Sequence, residues 1–112
     1  MGSFATRQVI LLPFPFSDLS ASKLRPALLL AAAGKGDWVL CQITSNPYAD
    51  PRAVTLSDGD FEQGGLQRTS HARASKLFTA RETLFQRAVG QLGRERHAQV
   101  VQAVVEMLRA GT

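Results

Sequence analysis

Leu11-Leu12-Pro13-Phe14-Pro15-Phe16-Ser17-Asp18, followed by Lys23-Leu24-Arg25-Pro26-Ala27-Leu28-Leu29-Leu30, is the stretch on which the fold turns. An apolar strand runs into a proline-stiffened loop, and the chain re-enters a second apolar strand directly behind an arginine. A cation is thereby fixed at the mouth of a buried sheet, which is an anion-binding layout.

The run from Gln8 to Pro13 is continuously apolar after its first residue and stops at Pro13-Phe14-Pro15, which suits a short buried strand better than a helix. Residues 26 to 33 form a second such run, closed by Gly34-Lys35-Gly36-Asp37, a strong hairpin signal. Trp38 to Thr44 returns with Val39, Cys41 and Ile43 on one face and Trp38, Leu40, Gln42 and Thr44 on the other. Arg52 to Ser57 reads as a short edge strand, and the segment after it is broken by Asp58-Gly59-Asp60 and Gly64-Gly65. Ser70 to Thr79 is a further strand, on which His71, Arg73 and Ser75 project together at about 7 Å between next-nearest residues. Arg87 to Leu92 is the last strand, ended by Gly93. From Arg94 to Arg109 the period changes, and Ala98, Val101, Val104, Val105 and Leu108 fall on one helical stripe. Several short strands followed by a terminal amphipathic helix describe a mainly β fold, a small antiparallel barrel with a helix packed against it. The whole chain, 1–112, reads as one domain without repeats or linkers.

Composition agrees: 45% hydrophobic and 20% charged residues make an ordinary globular balance. The lone Cys41 cannot form an internal disulfide and suits a reducing cytoplasm. There is no signal-peptide pattern, and no stretch approaches the apolar length of a spanning helix, so a soluble protein without a membrane partner is expected. Met1-Gly2-Ser3-Phe4-Ala5-Thr6 fits the bare myristoylation pattern, but no polybasic segment supports it. Thirteen Lys and Arg against nine Asp and Glu give a formal charge of +4, which favours a polyanionic partner. Arg68, Arg73, Lys76, Arg81, Arg87, Arg94 and Arg96 are relieved only by Glu82 and Glu95, after an acidic segment with Asp50, Asp58, Asp60 and Glu62. An ordinary solvated surface and a nucleic-acid face both fit that charge.

Several chemistries are discounted. There is no CxxC or HExxH, His71 and His97 lie apart, and no carboxylates cluster with them, so no metal or other cofactor is expected. Gly34-Lys35-Gly36 is too short for a Walker loop, and no serine sits in a Gly-x-Ser-x-Gly elbow. What remains suits phosphodiester transesterification. Arg25 presents a planar, permanently charged fork to phosphate oxygens, although taken alone it reads more readily as a salt bridge at a strand entrance. Thr44 is placed to bond a phosphate or ribose oxygen from its strand end, in a residue type that is also simply common in strands. His71, Arg73 and Ser75 combine a proton carrier, a cation and a hydroxyl on a face that water alone would keep polar. Phe14 and Phe16 either stack on bases or plug the end of the barrel.

Pro13-Phe14-Pro15-Phe16-Ser17-Asp18, Leu24-Arg25-Pro26-Ala27-Leu28-Leu29-Leu30 and Gln42-Ile43-Thr44-Ser45 closely resemble motifs of the MazF/PemK-like toxins of bacterial toxin–antitoxin pairs. Weaker support comes from Gly65-Leu66, from Ser70 with Arg73 and Lys76-Leu77-Phe78-Thr79, and from Gly90-Gln91-Leu92. The resemblance covers nearly the whole chain, from Val9 to the C-terminal helix. It implies an SH3-like barrel of the MazF/CcdB type, a homodimer, and a metal-independent, sequence-selective endoribonuclease acting on single-stranded RNA and blocked by a cognate antitoxin. Arg25 matches the arginine of the family's Arg-Pro motif and Thr44 the threonine of its Thr-Ser motif. Arg25 and Arg73 would hold the scissile phosphate, Thr44 would orient it, and Phe14, Asp18, Lys23, Ser45 and Lys76 would contact the RNA. Two departures bear on mechanism. Many members open with Gly-Asp or Gly-Glu where this chain has Arg7-Gln8, and many carry an aspartate where this chain has Ser75. Serine is a poor proton acceptor without a helper, which leaves His71, whose imidazole titrates near neutrality, as the alternative general base. The competing readings on the same fold are a non-enzymatic toxin, like the CcdB proteins that act on DNA gyrase, and a catalytically dead RNA-binding module.

Overall fold

The computed structural model describes residues 4–15, 22–47 and 50–111. The strands are β1 (Gln8–Pro15), β2 (Ser22–Gly34), β3 (Asp37–Thr44), β4 (Ala53–Leu56), β5 (Phe61–Gly64), β6 (Ser70–Arg81) and β7 (Arg87–Leu92), followed by the helix α1 (Arg94–Ala110). They form one seven-stranded antiparallel sheet in the order β4-β6-β3-β2-β1-β7-β5. Among the described residues β4 and β5 do not pair, so the small barrel is left open between them.

The continuous apolar runs fill both faces of this sheet, because successive side chains of a strand point to opposite sides. Val9, Leu28, Cys41 and Ile43 join Leu56, Ala72, Leu92 and Val100 in one core, beneath α1. Ile10, Leu12, Ala27, Leu29, Trp38 and Leu40 build the other with Ala80 and Phe85. Phe4 closes this second core edge-on against Phe85, with ring centroids 5.1 Å apart. The β2–β3 hairpin closes in two residues, with positive φ at Lys35 (56°) and Gly36 (84°), the conformation that matches strand twist.

Four details depart from the sequence expectations. The first strand does not stop at Pro13 but runs through Pro15, paired with β2. The carbonyl of Leu11 accepts from Gln86 N–H at 2.8 Å on the β7 side. By the two-residue period, the nitrogens of Pro13 and Pro15 face that same edge, beyond the end of β7, where no donor is needed. Second, Phe61–Gly64, expected to be broken by glycines, forms β5 against β7. Third, β6 is longer than expected and strongly bulged: Gln42 pairs with Arg73 but Cys41 with Leu77, so Ala74, Ser75 and Lys76 are extra residues.

The fourth correction concerns the helix. Its fully buried residue is Val100, whereas Val101 (38% exposed) and Leu108 (56%) of the expected stripe face outward and Ala98 is exposed. The chain entering the helix sets this rotation: Gly93 N–H donates to the Asp60 carbonyl at 2.7 Å, and Arg96 Nη2 pairs with Asp60 Oδ1 at 3.1 Å. The His97, Val100, Val104 and Met107 side is thereby turned toward β4 and β6. No helix is long and apolar enough to cross a membrane among the described residues.

Candidate functional site: a cationic groove across the sheet

Register brings the motif residues into one neighbourhood. Leu11 pairs with Pro26 on one side and with Arg87 on the other, and Arg25 lies beside Leu12. Gln42 pairs with Ala27 and with Arg73, while Thr44 ends β3 opposite His71. Above these rows is a groove of about 880 Å³, lined by Arg25, Thr44, Ser45 and Arg73 of the expected site. Arg68 and Arg87 line it as well, over an apolar floor of Leu11, Pro26, Ile43 and Val89. Four guanidinium groups above apolar surface suit a polyanion with flat, partly apolar bases.

Thr44 is engaged locally. Its hydroxyl donates to the Asn46 carbonyl at 3.0 Å and accepts from Asn46 N–H at 3.1 Å, a side-chain turn that closes the strand end and presents Ser45 and Asn46 at the groove. Arg73 is held from behind: its Nε donates to Asp50 Oδ2 at 3.0 Å. The Asp50 carboxyl is kept below its ordinary range, chiefly by the Arg52 backbone N–H it accepts at 2.9 Å and then by Arg73.

The other expected residues lie outside the groove lining. His71 shares a contact with Thr55 on the neighbouring strand, Nδ1 to Oγ1 at 3.3 Å. Ser75 and Lys76 are exposed on the β6 bulge. Phe14 packs edge-on against Phe78, centroids 5.4 Å apart, opposite the exposed Lys23. Phe16, Ser17 and Asp18 lie outside the described residues. Cys41 is fully buried and its thiol is pushed up to about 12 by burial, which leaves it a neutral hydrophobe. Among the described residues no three of His, Cys, Asp and Glu come together as a metal cluster.

Arg68, Arg87 and Asp50 were not in the site expected from sequence. The two arginines belong to the basic stretch, but only strand order shows which of its cations turn toward Arg25. Asp50 was one carboxylate of an acidic segment, and its pairing with Arg73 spans 23 positions.

Residues 6–108 match the model of the PemK-like, MazF-like toxins of type II toxin–antitoxin systems. The chain belongs to this family. Its fold is similar to that in a crystal structure of MazE–MazF from Deinococcus radiodurans, with a TM-score of 0.77 at 18% identity over 97% of this chain and 98% of that one. It is also similar to the Mycobacterium tuberculosis toxin MazF-mt6, with a TM-score of 0.71 at 17% identity over 92% and 97% of the two chains. An endoribonuclease in complex with its cognate antitoxin, from a mycobacterial species, gives 0.72 at 17% identity over 97% and 96%. A comparison with curated protein sequences finds no match.

Proposed function

We propose that this chain is the toxin of a type II toxin–antitoxin pair and acts as a metal-independent, sequence-selective endoribonuclease on single-stranded RNA. The observation that carries this reading is the groove itself, where Arg25, Arg73 and the Thr44 turn meet although they come from three different strands. The ribose 2′-hydroxyl gives up its proton as its oxygen attacks phosphorus, the bond to the 5′-oxygen breaks, and that oxygen takes a proton from water, leaving a 2′,3′-cyclic phosphate and a 5′-hydroxyl. Arg25 and Arg73 stabilise the charge that builds on the phosphoryl oxygens, the kind of preorganised stabilisation that usually dominates catalysis. Thr44 fixes the turn that offers Ser45 and Asn46 to the substrate, and Arg68 and Arg87 hold flanking phosphates. Among the described residues the groove lining holds no His, Asp or Glu, so proton removal falls to water or to His71, opposite Thr44 at the end of β3.

The family and the antitoxin complexes among its structural neighbours support a cognate antitoxin as partner, whose acidic segment would cover the same arginines. Membership of this family also supports a homodimer in the cytoplasm, with its interface near the barrel loops. The test is to incubate the purified protein with a long RNA in excess EDTA and map the ends. Fragments with cyclic phosphate and 5′-hydroxyl ends are expected. Cleavage that returns only with a divalent ion would overturn the mechanism, and no cleavage of any RNA would move the reading to a binding module.

A further inference from the structure

The strand that carries Arg73 loses its ladder immediately after it. Gln42 is in register with Arg73, the next residue back on β3 with Leu77, and the three residues between have no partners on that strand. An arginine at the edge of such a bulge would be poorly aimed unless something outside the ladder held it. Asp50, from the connection between β3 and β4, does so. Its side chain is 8% exposed and that of Arg73 17%. Oδ1 accepts the Arg52 backbone N–H at 2.9 Å, which fixes the plane of the carboxylate. Oδ2 accepts Arg73 Nε–H at 3.0 Å and the Ser75 hydroxyl at 3.4 Å, so one oxygen clamps a residue at the start of the bulge and one inside it. The bond to Arg73 is made through Nε, on the stem side of the guanidinium, so it sets the plane of the group.

We propose that Asp50 is a positioning residue for the groove: it ties the β6 bulge together through Arg73 and Ser75 and so aims the Arg73 guanidinium at a phosphodiester. This rests on the ribonuclease reading and deepens it, because it gives the chain's unusual Ser75 a partner and a structural task. The backbone N–H and the guanidinium keep Asp50 ionised at neutral pH. Its role is geometric and electrostatic: both carboxylate oxygens are already taken up by the Arg52 N–H, Arg73 and Ser75, and Asp50 does not line the groove where the attacking hydroxyl would lie.

The test is a double-mutant cycle on the full chain with single-turnover cleavage of RNA in EDTA. Asp50→Ala is expected to slow cleavage at least about tenfold, as misplacement of a binding group does. Asp50→Asn, which keeps the shape and loses the charge, should fall between it and wild type. In an Arg73→Gln background Asp50→Ala should change the rate less than about twofold, because its effect passes through Arg73. Effects that multiply in the double variant, or wild-type rates for both Asp50 variants, would overturn the proposal. If the wild-type protein cuts no RNA, the ribonuclease reading fails on its own. Asp50 is then read from the nitrogen-15 NMR signal of Arg73 Nε–H, titrated with a single-stranded deoxyoligonucleotide. The signal should move in Asp50→Asn and lose its response to the oligonucleotide, whereas an unchanged signal and response would sink the positioning role. Should Asp50→Ala fail to fold, the isosteric Asp50→Asn carries both measurements.

Discussion

Gly64 on β5 and Gly90 on β7 face each other so closely that neither position has room for a side chain. A Cβ at Gly64 would run into the Val89 carbonyl oxygen, and one at Gly90 would sit 2.7 Å from the Gly65 nitrogen. Gly65 N–H donates to that same carbonyl at 3.1 Å, which holds the segment leading to Arg68 beside the strand that carries Arg87. The close approach is thus what brings these two arginines to one groove. Gly90→Ala is expected to destabilise the fold by about 1–3 kcal/mol through overpacking, measured by urea unfolding. A variant as stable as wild type would show that β5 does not dock on β7 this way.

The rotation of α1 gives a second expectation. Val100 is wholly buried while its neighbour Val101 is 38% exposed. Val100→Ala should cost about 2 kcal/mol, through lost burial and a cavity, in thermal or chemical unfolding. Val101→Ala should stay within about 0.5 kcal/mol. The reverse order would place the buried stripe where the sequence pattern had put it.

That pattern shows where sequence reading ends. The continuous apolar runs of β1 and β2, the Gly34–Asp37 hairpin and the alternation in β3 report burial directly, and they were legible. In the helix, the expected stripe of Ala98, Val101, Val104, Val105 and Leu108 and the row through Val100, Val104 and Met107 are both apolar and share Val104, and the Asp60 anchor of Arg96 and Gly93 selects between them. Pro13 and Pro15 read as strand breakers because the sequence does not say where β7 ends. In the site, Arg25, Thr44, Ser45 and Arg73 were legible as motif residues. Asp50, Arg68 and Arg87 were not, since each is brought to this neighbourhood by residues distant in sequence.

Acid stability should show two steps of the same sign. The buried Nδ1 of His97 has no hydrogen-bond partner among the described residues, and burial, then the charge of Arg7, holds its pKa below the ordinary 6.5. The unfolded chain therefore binds this proton first, so folded stability declines as pH falls from about 6.5 toward the depressed folded value. Asp50 acts lower: its folded pKa lies below the ordinary 3.8, so its contribution is complete above that range and is lost as pH falls through the folded value. Unfolding free energies measured across pH should flatten in the upper step for His97→Gln and in the lower step for Asp50→Asn. Unaltered pH profiles in both would contradict the burial of His97 and the Asp50 clamp.

Because the Thr44 hydroxyl both donates to and accepts from Asn46, its turn depends on the hydroxyl and not on the methyl group. Thr44→Ser should keep RNA cleavage within about tenfold of wild type, while Thr44→Val should lower it by about a hundredfold, the scale of misplacing a substrate contact. Equal rates for the two variants would remove Thr44 from the site.

The most direct measurement is single-turnover cleavage of one RNA in excess EDTA by wild type and by Arg25→Ala, with circular dichroism confirming that both are folded. Arg25 is exposed at the strand entrance and lines the groove, so its loss should leave the core intact. The expected result is cleavage by wild type and a rate at least about a hundredfold lower for the variant, as when one preorganised stabiliser of transition-state charge is lost. Equal rates for the two proteins would mean that the groove is not where the phosphodiester is cut.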